Sequence, residues 1–352
     1  MKAAVFYETE DLRLEDVSEP EAGPDEVVVK VLACGFCGSD IEYYYGKSPL
    51  GTPTGKGPLV LGHEVCGEIV QAGKLGAQYG LHEGDRVAVN PVQSCNACNA
   101  CRAGKLQFCE NLTVLGVTMD GGFAEFAKTK IVHAYKIPDT LTDEQGAFVE
   151  MLSSAVYAVQ RAEIEPESFA VVYGPGPVGL SMVQLLKSEG ARVGIVGTRD
   201  YRLQIAKDIG ADHAWNVKDE TSPFYAADLG EAIRAANGGA LADRVLVATA
   251  SVQANQQAIE ISGPASVVVL MGLAGPNDAI SVPLLSNLYL DKTIRFSLLY
   301  PLQWPTAIKI LAGRTVDTSK IITHSASLDG IAPAIERVLN RDDDVIKTVI
   351  KP

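Results

Sequence analysis

The 352-residue sequence contains no apolar run long enough to cross a membrane. Its longest apolar runs, such as Ser266–Leu273, are far shorter than the roughly 18 residues that a bilayer requires. Basic residues are also few, since 30 lysines and arginines accompany 43 aspartates and glutamates, for a formal charge of −13. This acidic balance argues against binding to nucleic acid or to an anionic membrane surface. With 47% apolar and 21% charged residues, the composition is that of a globular protein rather than a disordered one.

No cysteine occurs after position 109, although the chain contains seven. A secreted protein with disulfide bonds would distribute its cysteines and would usually contain an even number. Residues 1–17 show no charged leader followed by an apolar stretch, so we expect no export. Clustered cysteines then indicate metal sites in a reducing compartment, and we expect a cytoplasmic location. The seven are Cys34, Cys37, Cys66, Cys95, Cys98, Cys101 and Cys109.

The length of the chain suits about two domains, and its pattern changes near residue 169. Residues 1–150 contain short β-branched stretches broken by glycine, proline and aspartate, which predicts a β-rich region. Buried strands then alternate with amphipathic helices, which predicts βαβ units and a parallel sheet. The last stretch, from about Thr293, is again β-rich, so a β-rich domain is interrupted by a nucleotide-binding domain. The predicted strands of the middle region are Phe169–Tyr173, Arg192–Val196, Asp243–Ala248 and Ser266–Met271.

Four cysteines within 15 residues form the strongest motif, Cys95-x2-Cys98-x2-Cys101-x7-Cys109. Four thiolates at these spacings can surround Zn²⁺ tetrahedrally without help from distant parts of the chain. An iron–sulfur site is a weaker interpretation, because a ferredoxin-type run has three residues before its last cysteine and a proline after it. Four free thiols in a loop are a further alternative. Since all four ligands are cysteines and no position remains for water, we predict a structural zinc.

A glycine-rich turn with the sequence GPGPVG follows the first predicted strand of the middle region and precedes a helix. Alone this pattern is weak, but between a strand and a helix it indicates a dinucleotide site. Its glycines permit a tight turn and let the backbone approach the pyrophosphate, whose charge lies at the helix N-terminus. An ordinary glycine-rich loop is the alternative. The predicted cofactor contacts are Gly174, Gly176, Pro177, Val178 and Gly179, together with Leu273 after the last strand of the region.

The end of the second strand of this region indicates the coenzyme preference. An NAD site has an acidic residue there, roughly 20 residues past the glycine motif, which accepts from the ribose 2′-hydroxyl. This chain instead has Gly197, which leaves room for a phosphate and no negative charge to repel it. Thr198 can donate a hydrogen bond, and Arg199 and Arg202 can pair with the phosphate. The alternative is a solvated loop in which Asp200 takes over the acid's role; we favour NADP(H).

Three short segments contain the residue types of a catalytic site. Cys37 and Ser39 combine a thiolate with a hydroxyl, and Glu150 puts a carboxylate in an apolar run. His63 and Glu64 place an imidazole beside a carboxylate. Each residue alone also has a plain structural interpretation, as a small core residue, a hydrogen-bonded histidine or a charge at a helix start.

Together with the zinc and dinucleotide motifs, these segments resemble the medium-chain zinc-dependent alcohol dehydrogenases, nearest the sorbitol and threonine dehydrogenase branch. The resemblance covers almost the entire chain and implies an α/β fold with two domains. A GroES-like β-rich catalytic domain (1–155 and 294–352) would be interrupted by a Rossmann doubly wound parallel sheet domain (156–293), with the active site in the cleft between them. The motifs that carry the resemblance are Cys37–Asp40, Gly62–Glu64, Gly84–Val87, Cys95–Cys109, Gly174–Gly179, Arg202–Asp212 and Trp304–Pro305.

The resemblance implies a catalytic zinc held by Cys37, His63 and a carboxylate, for which Glu64 and Glu150 are both candidates. An open position would remain for the substrate oxygen, where Zn²⁺ acts as a Lewis acid so that an alkoxide can release a hydride to the nicotinamide. Ser39 matches the hydroxyl that passes the alcohol proton onward. Such a chain would bind NADP(H) and two zinc ions, one catalytic and one structural.

Three positions depart from the family pattern, the first being Gly197 in place of the usual acid. Glu42 stands where many relatives have a histidine three residues past the relay hydroxyl, so proton exit would use Glu42, water or another group. Leu299 stands near a position where the sorbitol-type branch has an arginine, which makes the pocket less suited to an extended sugar alcohol. Tyr43, in a run of three tyrosines, is a candidate for the substrate pocket, and packing within the protein is an equally good interpretation.

We therefore expect a zinc-dependent oxidoreductase that transfers a hydride between NADP(H) and a small secondary alcohol, polyol-like or sugar-derived substrate and its ketone. The nearest rival is a zinc-free quinone or enoyl reductase on the same fold. A more distant rival is a non-catalytic structural protein that binds nucleotide. The resemblance also implies a homodimer or homotetramer formed through the cofactor domains, and no nucleic-acid or membrane partner is expected.

Overall fold

The computed structural model describes residues 1–47, 57–340 and 344–352. The described chain divides into two compact units. The first unit comprises Met1–Met151, Trp304–Gly313 and Ile322–Pro352, and the second unit comprises Leu152–Gln303 and Arg314–Ile321. Within the described ranges, no helix combines the length and the apolarity that a membrane span requires.

Most of the strands contain β-branched residues, which suit a pleated and partly buried surface. In chain order they are β1 (Lys2–Glu8), β2 (Asp11–Asp16), β3 (Glu26–Phe36), β4 (Leu59–Val60), β5 (Glu64–Ala72), β6 (Arg86–Val89), β7 (Val92–Gln93), β8 (Thr113–Val114), β9 (Phe126–Lys130), β10 (Ala134–Lys136), β11 (Phe169–Tyr173), β12 (Arg192–Gly197), β13 (His213–Asn216), β14 (Ala242–Val247), β15 (Ser262–Leu270), β16 (Thr293–Phe296), β17 (Ile322–Ser327) and β18 (Lys347–Lys351).

The local sequence marks the start of three α-helices. Asp228 and Ser251 accept from the backbone one turn into two of them, and Pro177 occupies a first-turn position where its missing N–H costs nothing. In chain order the helices are α1 (Gly38–Tyr44), α2 (Asn99–Arg102), α3 (Asp143–Ala162), α4 (Pro177–Ser188), α5 (Asp200–Asp208), α6 (Leu229–Ala236), α7 (Val252–Glu260), α8 (Leu284–Tyr289), α9 (Trp304–Ala312) and α10 (Ile331–Leu339).

The first unit is built on a seven-stranded sheet in the order β10-β6-β5-β3-β18-β17, with β9 also paired to β3. Its pairs are antiparallel except that of β17 with β18. A three-stranded sheet, β2-β1-β4, and the two-stranded β7-β8 complete the unit. Apolar side chains of the strands form its core, and Val29 and Ile69 are fully buried. The β-rich region predicted from sequence is confirmed.

The register of β3 with β5 and with β18 decides which residues meet at one end of the sheet of the first unit. Gly35, near the end of β3, is the partner of Glu64 at the start of β5. Phe36, the last residue of β3, is the partner of Thr348 in β18. Segments that are far apart in sequence therefore lie side by side at one end of this sheet.

The second unit contains a six-stranded sheet in the order β13-β12-β11-β14-β15-β16, in which every pair is parallel. This is the 3-2-1-4-5-6 order of a Rossmann sheet, with a switch point beside the first strand. Central valines such as Val171, Val245 and Val268 are fully buried. The four predicted strands of the region are confirmed, whereas β13 and β16, each of four residues, were not identified from sequence.

Candidate active site and cofactor site

Two glycines, each closely packed against neighbouring residues, allow the first predicted site residues to come together. Cys37 follows β3 directly and is the N-cap residue of α1, while Glu64 begins β5. A Cβ atom on Gly35 would lie 1.9 Å from Glu64 Oε2, and one on Gly62 would lie 2.7 Å from the ring of Phe123. Gly62 also has a φ of +90°, which favours glycine. Glycine is therefore required at both positions for the segments to approach.

Cys37, His63 and Glu64 form a cluster in which one ligand atom from each residue lies within 4.8 Å of the others. His63 is 9% exposed and Glu64 is fully buried. A thiolate, an imidazole and a carboxylate are the ligand types of a catalytic zinc with an open position. Glu64 Oε2 is buried and has no hydrogen-bond partner among the described residues, which is costly unless a cation binds there. These residues fit a zinc ion.

Asp40, in the first turn of α1, orients His63. Its Oδ2 accepts from the Cys37 N–H at 2.9 Å, and its Oδ1 lies 3.3 Å from His63 Nδ1. A carboxylate at Nδ1 favours the tautomer that leaves Nε2 available as a metal ligand. Ser39 Oγ lies 3.5 Å from that Nε2. Burial acts to lower the pKa of His63, but the charges and hydrogen bonds of Asp40 and Cys37 outweigh it and raise that pKa well above its ordinary value.

Lys347, the first residue of β18, forms a buried ion pair with Glu64. Its Nζ donates to Glu64 Oε1 at 2.6 Å and to the Phe36 carbonyl oxygen at 3.0 Å. The two side chains of the pair are 4% and 0% exposed. Burial acts to lower the pKa of Lys347, but the attraction of Glu64, Cys37 and Glu150 raises it above its ordinary value. The ammonium group thus engages one carboxylate oxygen and leaves Oε2 for a second cation.

Sequence reasoning assigned no role to Asp40 or Lys347, although both touch the cluster. The signal for Asp40 was its place three residues after Cys37, where an acid caps a helix. The signal for Lys347 was a lysine within the β-rich stretch Val345–Ile350. Neither signal identifies a partner, because His63 and Glu64 lie in a segment far away along the sequence.

Four other predicted residues lie outside the three-ligand cluster. Glu42 is exposed on α1, and Tyr43 is 4% exposed and packs in the apolar core of the first unit. Glu150, in α3, is 8% exposed and is not part of the group of ligand atoms found within 4.8 Å among the described residues. Leu299 lies in the second unit with a φ of +56°, which is uncommon for a residue other than glycine.

Cys95, Cys98, Cys101 and Cys109 form a second cluster, whose sulfur atoms all lie within 4.8 Å of one another. Backbone N–H groups support the sulfurs; those of Cys95 and Cys98 donate to Cys109 Sγ and Cys95 Sγ at 3.2 and 3.4 Å. Backbone donors, with the N–H of Ala97 as the largest cause, lower the pKa of Cys95 to about 6. Burial raises the pKa of Cys101 to about 12. Four sulfur ligands from one segment fit a structural zinc, whose charge would ionise all four thiols.

The glycine-rich turn of the second unit lies between β11 and α4, as predicted. Gly174 has a φ of +95°, in the region that favours glycine. A Cβ atom on Gly179 would lie 2.0 Å from the carbonyl oxygen of Gly174, so only glycine lets α4 pack this close to the turn. Gly176 is the N-cap residue of α4. The first turn of that helix directs its N–H groups toward the place where a pyrophosphate would bind.

A cavity of ≈ 920 Å³ opens beside this turn within the second unit. Pro177, Val178 and Gly179 are not among the described residues that line it, and neither is Leu273, which is 57% exposed. Lys218, just after β13, is a cationic lining residue that sequence reasoning missed because β13 itself was not identified. The lining residues near the strand ends are Gly174, Pro175, Gly176, Gly197, Thr198, Arg199, Arg202 and Lys218.

Gly197 has a packing role that the sequence did not reveal. A Cβ atom at this position would lie 2.6 Å from Pro175 Cγ and 3.2 Å from Leu203 Cδ2. Pro175 belongs to the glycine-rich turn, so the turn rests directly on the end of β12. An acidic side chain at position 197 would therefore require Pro175 to move.

Two family models match the chain. The model for the alcohol dehydrogenase GroES-like domain matches residues 23–139, and the model for zinc-binding dehydrogenase matches residues 177–313. Sorbitol dehydrogenase of Bacillus subtilis (strain 168) is 32% identical over 355 residues, with 100% of this chain and 97% of that protein covered. Sorbitol dehydrogenase of Gallus gallus is also 32% identical, with 95% of this chain and 92% of that protein covered.

Solved structures with the same fold carry different coenzymes. A short chain alcohol dehydrogenase from E. coli CFT073, complexed with NADH, has a TM-score of 0.89 and 30% identity, with 100% of this chain and 99% of that chain covered. A protein described as a zinc-binding dehydrogenase from Sinorhizobium meliloti 1021, bound to NADP, has a TM-score of 0.90 and 29% identity at the same coverage. Sequence, fold and site agree, and the chain belongs to the medium-chain zinc-dependent alcohol dehydrogenase family, in its sorbitol dehydrogenase-like branch.

Proposed function

We propose that this protein is a zinc-dependent oxidoreductase that transfers a hydride between NADP(H) and a small secondary alcohol, polyol-like or sugar-derived substrate and its ketone. The observation that carries the proposal is the cluster of Cys37, His63 and Glu64, in which His63 and Glu64 are buried. The sorbitol dehydrogenase relatives favour a polyol-like substrate. Leu299, near the position of the branch's arginine, favours a compact one.

The chemistry is divided among residues around this cluster. Zn²⁺, when bound by Cys37, His63 and Glu64, would supply a Lewis acid for the alcohol or carbonyl oxygen. We assign to Ser39 the uptake of the alcohol proton during oxidation and its return during reduction. Glu42 or water would then carry the proton to solvent, which the exposure of Glu42 favours.

We assign the third protein ligand to Glu64 rather than to Glu150. The contact distances of the cluster and the unpartnered Glu64 Oε2 support this assignment. Glu64→Gln would then release zinc from the site, whereas Glu150→Gln would retain it. Zinc analysis of the two variants compares the candidates directly.

The proposed preference for NADP(H) rests on the residues at the end of β12. Thr198, Arg199 and Arg202 line the cavity, and position 197 carries no acid. Family membership does not decide the coenzyme, since one similar structure holds NADH and another holds NADP.

Further proposals concern the second metal site, the domains and the location of the protein. The four-cysteine cluster would hold a structural zinc, which gives two zinc ions per chain. The predicted catalytic domain (1–155 and 294–352) would correspond to the first unit and the predicted dinucleotide-binding domain (156–293) to the second unit, whose sheet also includes β16. A reducing cytoplasm would keep the seven cysteines available, all of which are free thiols in the described structure.

We also propose a homodimer or homotetramer that forms through the second unit. β16 is the outer strand of its sheet, and Phe296 at the end of that strand is 71% exposed. The preceding helix, α8, exposes Leu284, Leu288 and Tyr289 by 82%, 74% and 82%. An open strand edge beside exposed apolar side chains is typical of a protein contact.

The competing functions are a zinc-free quinone or enoyl reductase and a non-catalytic nucleotide-binding protein. Zinc analysis of the purified protein, combined with a screen of small ketones, polyols and amino alcohols with both coenzymes, separates these functions. We expect two zinc ions per chain and turnover that is faster with NADP(H). A single zinc without alcohol-dependent turnover would reject the proposal.

Arg199→Ala tests the coenzyme part of the proposal. We expect the KM for NADPH to rise about tenfold and the KM for NADH to change little, because a charge-assisted contact to the 2′-phosphate is lost. Arg234→Ala, on α6 and outside the described cavity lining, is the matched control. Equal changes for the two coenzymes would argue against NADP(H).

A further inference from the structure

Asn216, the last residue of β13, uses both polar atoms of its side chain. It is 1% exposed and is the register partner of Gly197 in β12. Its Oδ1 accepts from the N–H groups of Lys218 and Asp219, each at 3.0 Å. Its Nδ2 donates to Asp200 Oδ1 at 2.8 Å. One buried amide therefore links the turn after β13 to the first residue of α5, beside the strand end to which we attribute the coenzyme preference.

The same oxygen of Asp200 accepts a second hydrogen bond, from Ser222 Oγ at 2.6 Å. Ser222 is itself restrained, because its Oγ accepts from the Phe224 N–H at 3.0 Å. Asp200 is thus bound from two sides, and it is absent from the described residues that line the cavity. It is the first acid after β12 in the sequence, and so the group that would otherwise accept from a ribose 2′-hydroxyl.

The cavity wall beside these residues carries the cations Arg199, Arg202 and Lys218. Lys218 is exposed, and its backbone N–H is one of the two that Asn216 binds. A dianionic phosphate is favoured by nearby cations and disfavoured by a nearby carboxylate. Restraining the Asp200 carboxylate away from the cavity and fixing the turn that carries Lys218 therefore both favour the binding of a phosphate.

We infer that Asn216 is a positioning residue for coenzyme discrimination and that Lys218 is a third cation for the 2′-phosphate of a 2′-phosphorylated adenosine ligand. Asn216 restrains the Asp200 carboxylate and fixes the turn that carries Lys218. The inference rests on the proposed preference for NADP(H). It adds residues whose replacement changes that preference while Arg199 and Arg202 stay intact.

Asn216→Asp separates the two effects of the amide. An aspartate at position 216 still accepts from the Lys218 and Asp219 N–H groups, but it no longer donates to Asp200 and repels that carboxylate. Adding Asp200→Asn to the same chain restores the hydrogen bond in the opposite direction, because the new amide at position 200 donates to the carboxylate at position 216. Ser222→Ala removes the second hydrogen bond alone, and Lys218→Ala removes the cation. Lys320→Ala is the matched control, a lysine of the second unit outside the described cavity lining.

The experiment measures, by calorimetry on the intact protein, the affinity for adenosine 2′,5′-bisphosphate and for adenosine 5′-monophosphate. The two probes differ only in the 2′-phosphate. We expect Asn216→Asp and Lys218→Ala to weaken bisphosphate binding about tenfold and Ser222→Ala to weaken it about threefold, as expected for charge-assisted contacts. Monophosphate binding should change little, and Lys320→Ala should change neither. Asn216→Asp with Asp200→Asn should recover most of the loss.

The outcomes distinguish this inference from the proposed function. Equal binding of both probes by the unchanged protein would reject the preference for NADP(H) itself. A preference for the bisphosphate that survives in full in Lys218→Ala, Ser222→Ala and Asn216→Asp would overturn the inference and leave the coenzyme preference standing. A loss in Asn216→Asp that Asp200→Asn does not restore would overturn the positioning role of Asn216. If circular dichroism shows Asn216→Asp to be unfolded, Ser222→Ala and Lys218→Ala decide the matter.

Discussion

The two candidate metal sites of the first unit are built in opposite ways. All four cysteines of one site come from a single 15-residue segment around the short helix α2, and Cys95 is exposed. The residues of the other site follow β3 and flank the start of β5, and Lys347 reaches them from β18. The first site depends on local spacing, whereas the second depends on the register of three strands.

Charge is balanced differently in the two sites. With Zn²⁺ bound, four thiolates leave a net negative charge, which backbone N–H groups and solvent can stabilise near the surface. In the buried site, the charges of Cys37, Glu64 and Asp40 would be matched by Zn²⁺ together with Lys347. A buried cluster needs this balance because an uncompensated charge in the interior is costly. Lys347 is therefore part of the buried site, whereas the cysteine site, in which Cys95 is exposed, can be stabilised by backbone N–H groups and solvent without such a cation.

The largest expected effect comes from His63→Ala, which breaks the buried site alone. Turnover should fall by at least about 1,000-fold, because a Lewis acid contributes several kcal/mol to such reactions. Zinc should fall from two ions per chain to one, while circular dichroism shows the fold to be retained. Steady-state kinetics and zinc analysis of the same preparation measure this. His82→Ala, at an exposed histidine of the same unit, is the control, and full activity of His63→Ala would rule out the site.

Cys98→Ser should instead lower the stability of the protein and leave its turnover largely intact. We expect the free energy of unfolding to fall by at least about 4 kcal/mol, because a closed zinc site contributes directly to folding. Turnover per folded molecule should remain near normal at low temperature. Denaturant unfolding and activity assays test the two parts, and a variant with unaltered unfolding would contradict a structural zinc.

Lys347→Met tests whether the buried site needs its own counter-charge. In protein that retains the zinc of the four-cysteine site but has none at Glu64, we expect the free energy of unfolding, measured with denaturant, to fall by about 3 kcal/mol, because Glu64 is left buried without its partner. Adding Glu64→Gln should recover most of that loss, since the uncompensated charge disappears. Lys351→Met is the control, because Lys351 lies on the same strand and pairs with Glu144 at the surface, where an ion pair contributes little. Equal losses of unfolding free energy in the two lysine variants would refute the conclusion that the buried site needs Lys347 as a counter-charge.

The smallest expected effect is that of Glu42→His, which alters only the proton exit beside the buried site. The pH profile of kcat should shift, while the rate at neutral pH changes by less than about tenfold, because proton relay is one part of a general acid–base contribution. Zinc content should stay at two ions per chain. Profiles of the two proteins that coincide at every pH would remove Glu42 from the relay.

Much of the second unit could be predicted from sequence because its signals are local. Four buried strands were identified from continuous apolar runs, and the glycine-rich turn from its place between a strand and a helix. The short strand β13 lacked such a run, and with it Asn216 and Lys218 were missed. The packing reason for Gly197 was also missed, because Pro175 is its neighbour only in space.

The first unit shows a similar division. The spacing of Cys95, Cys98, Cys101 and Cys109 was sufficient to group them, since a short segment can bring its own ligands together. The family resemblance named Cys37, His63, Glu64 and Glu150 but left the choice between the two glutamates open. Contact distances favour Glu64, because the sheet register puts Gly35 opposite it and so leaves space for its carboxylate.

Local chemistry in the chain was therefore enough to indicate the α/β class, the dinucleotide turn, the four-cysteine segment and the family. Hydrophobic periodicity, glycine conformations and ligand spacing each act over a few residues and need no knowledge of the fold. The pairing of Glu64 with Lys347, the contact of Asp40 with His63 and the restraint of Asp200 by Asn216 and Ser222 were decided by the tertiary structure. Each of these contacts joins groups that are separated in sequence. Only the pairing of strands and the packing of the interior bring them within hydrogen-bond distance.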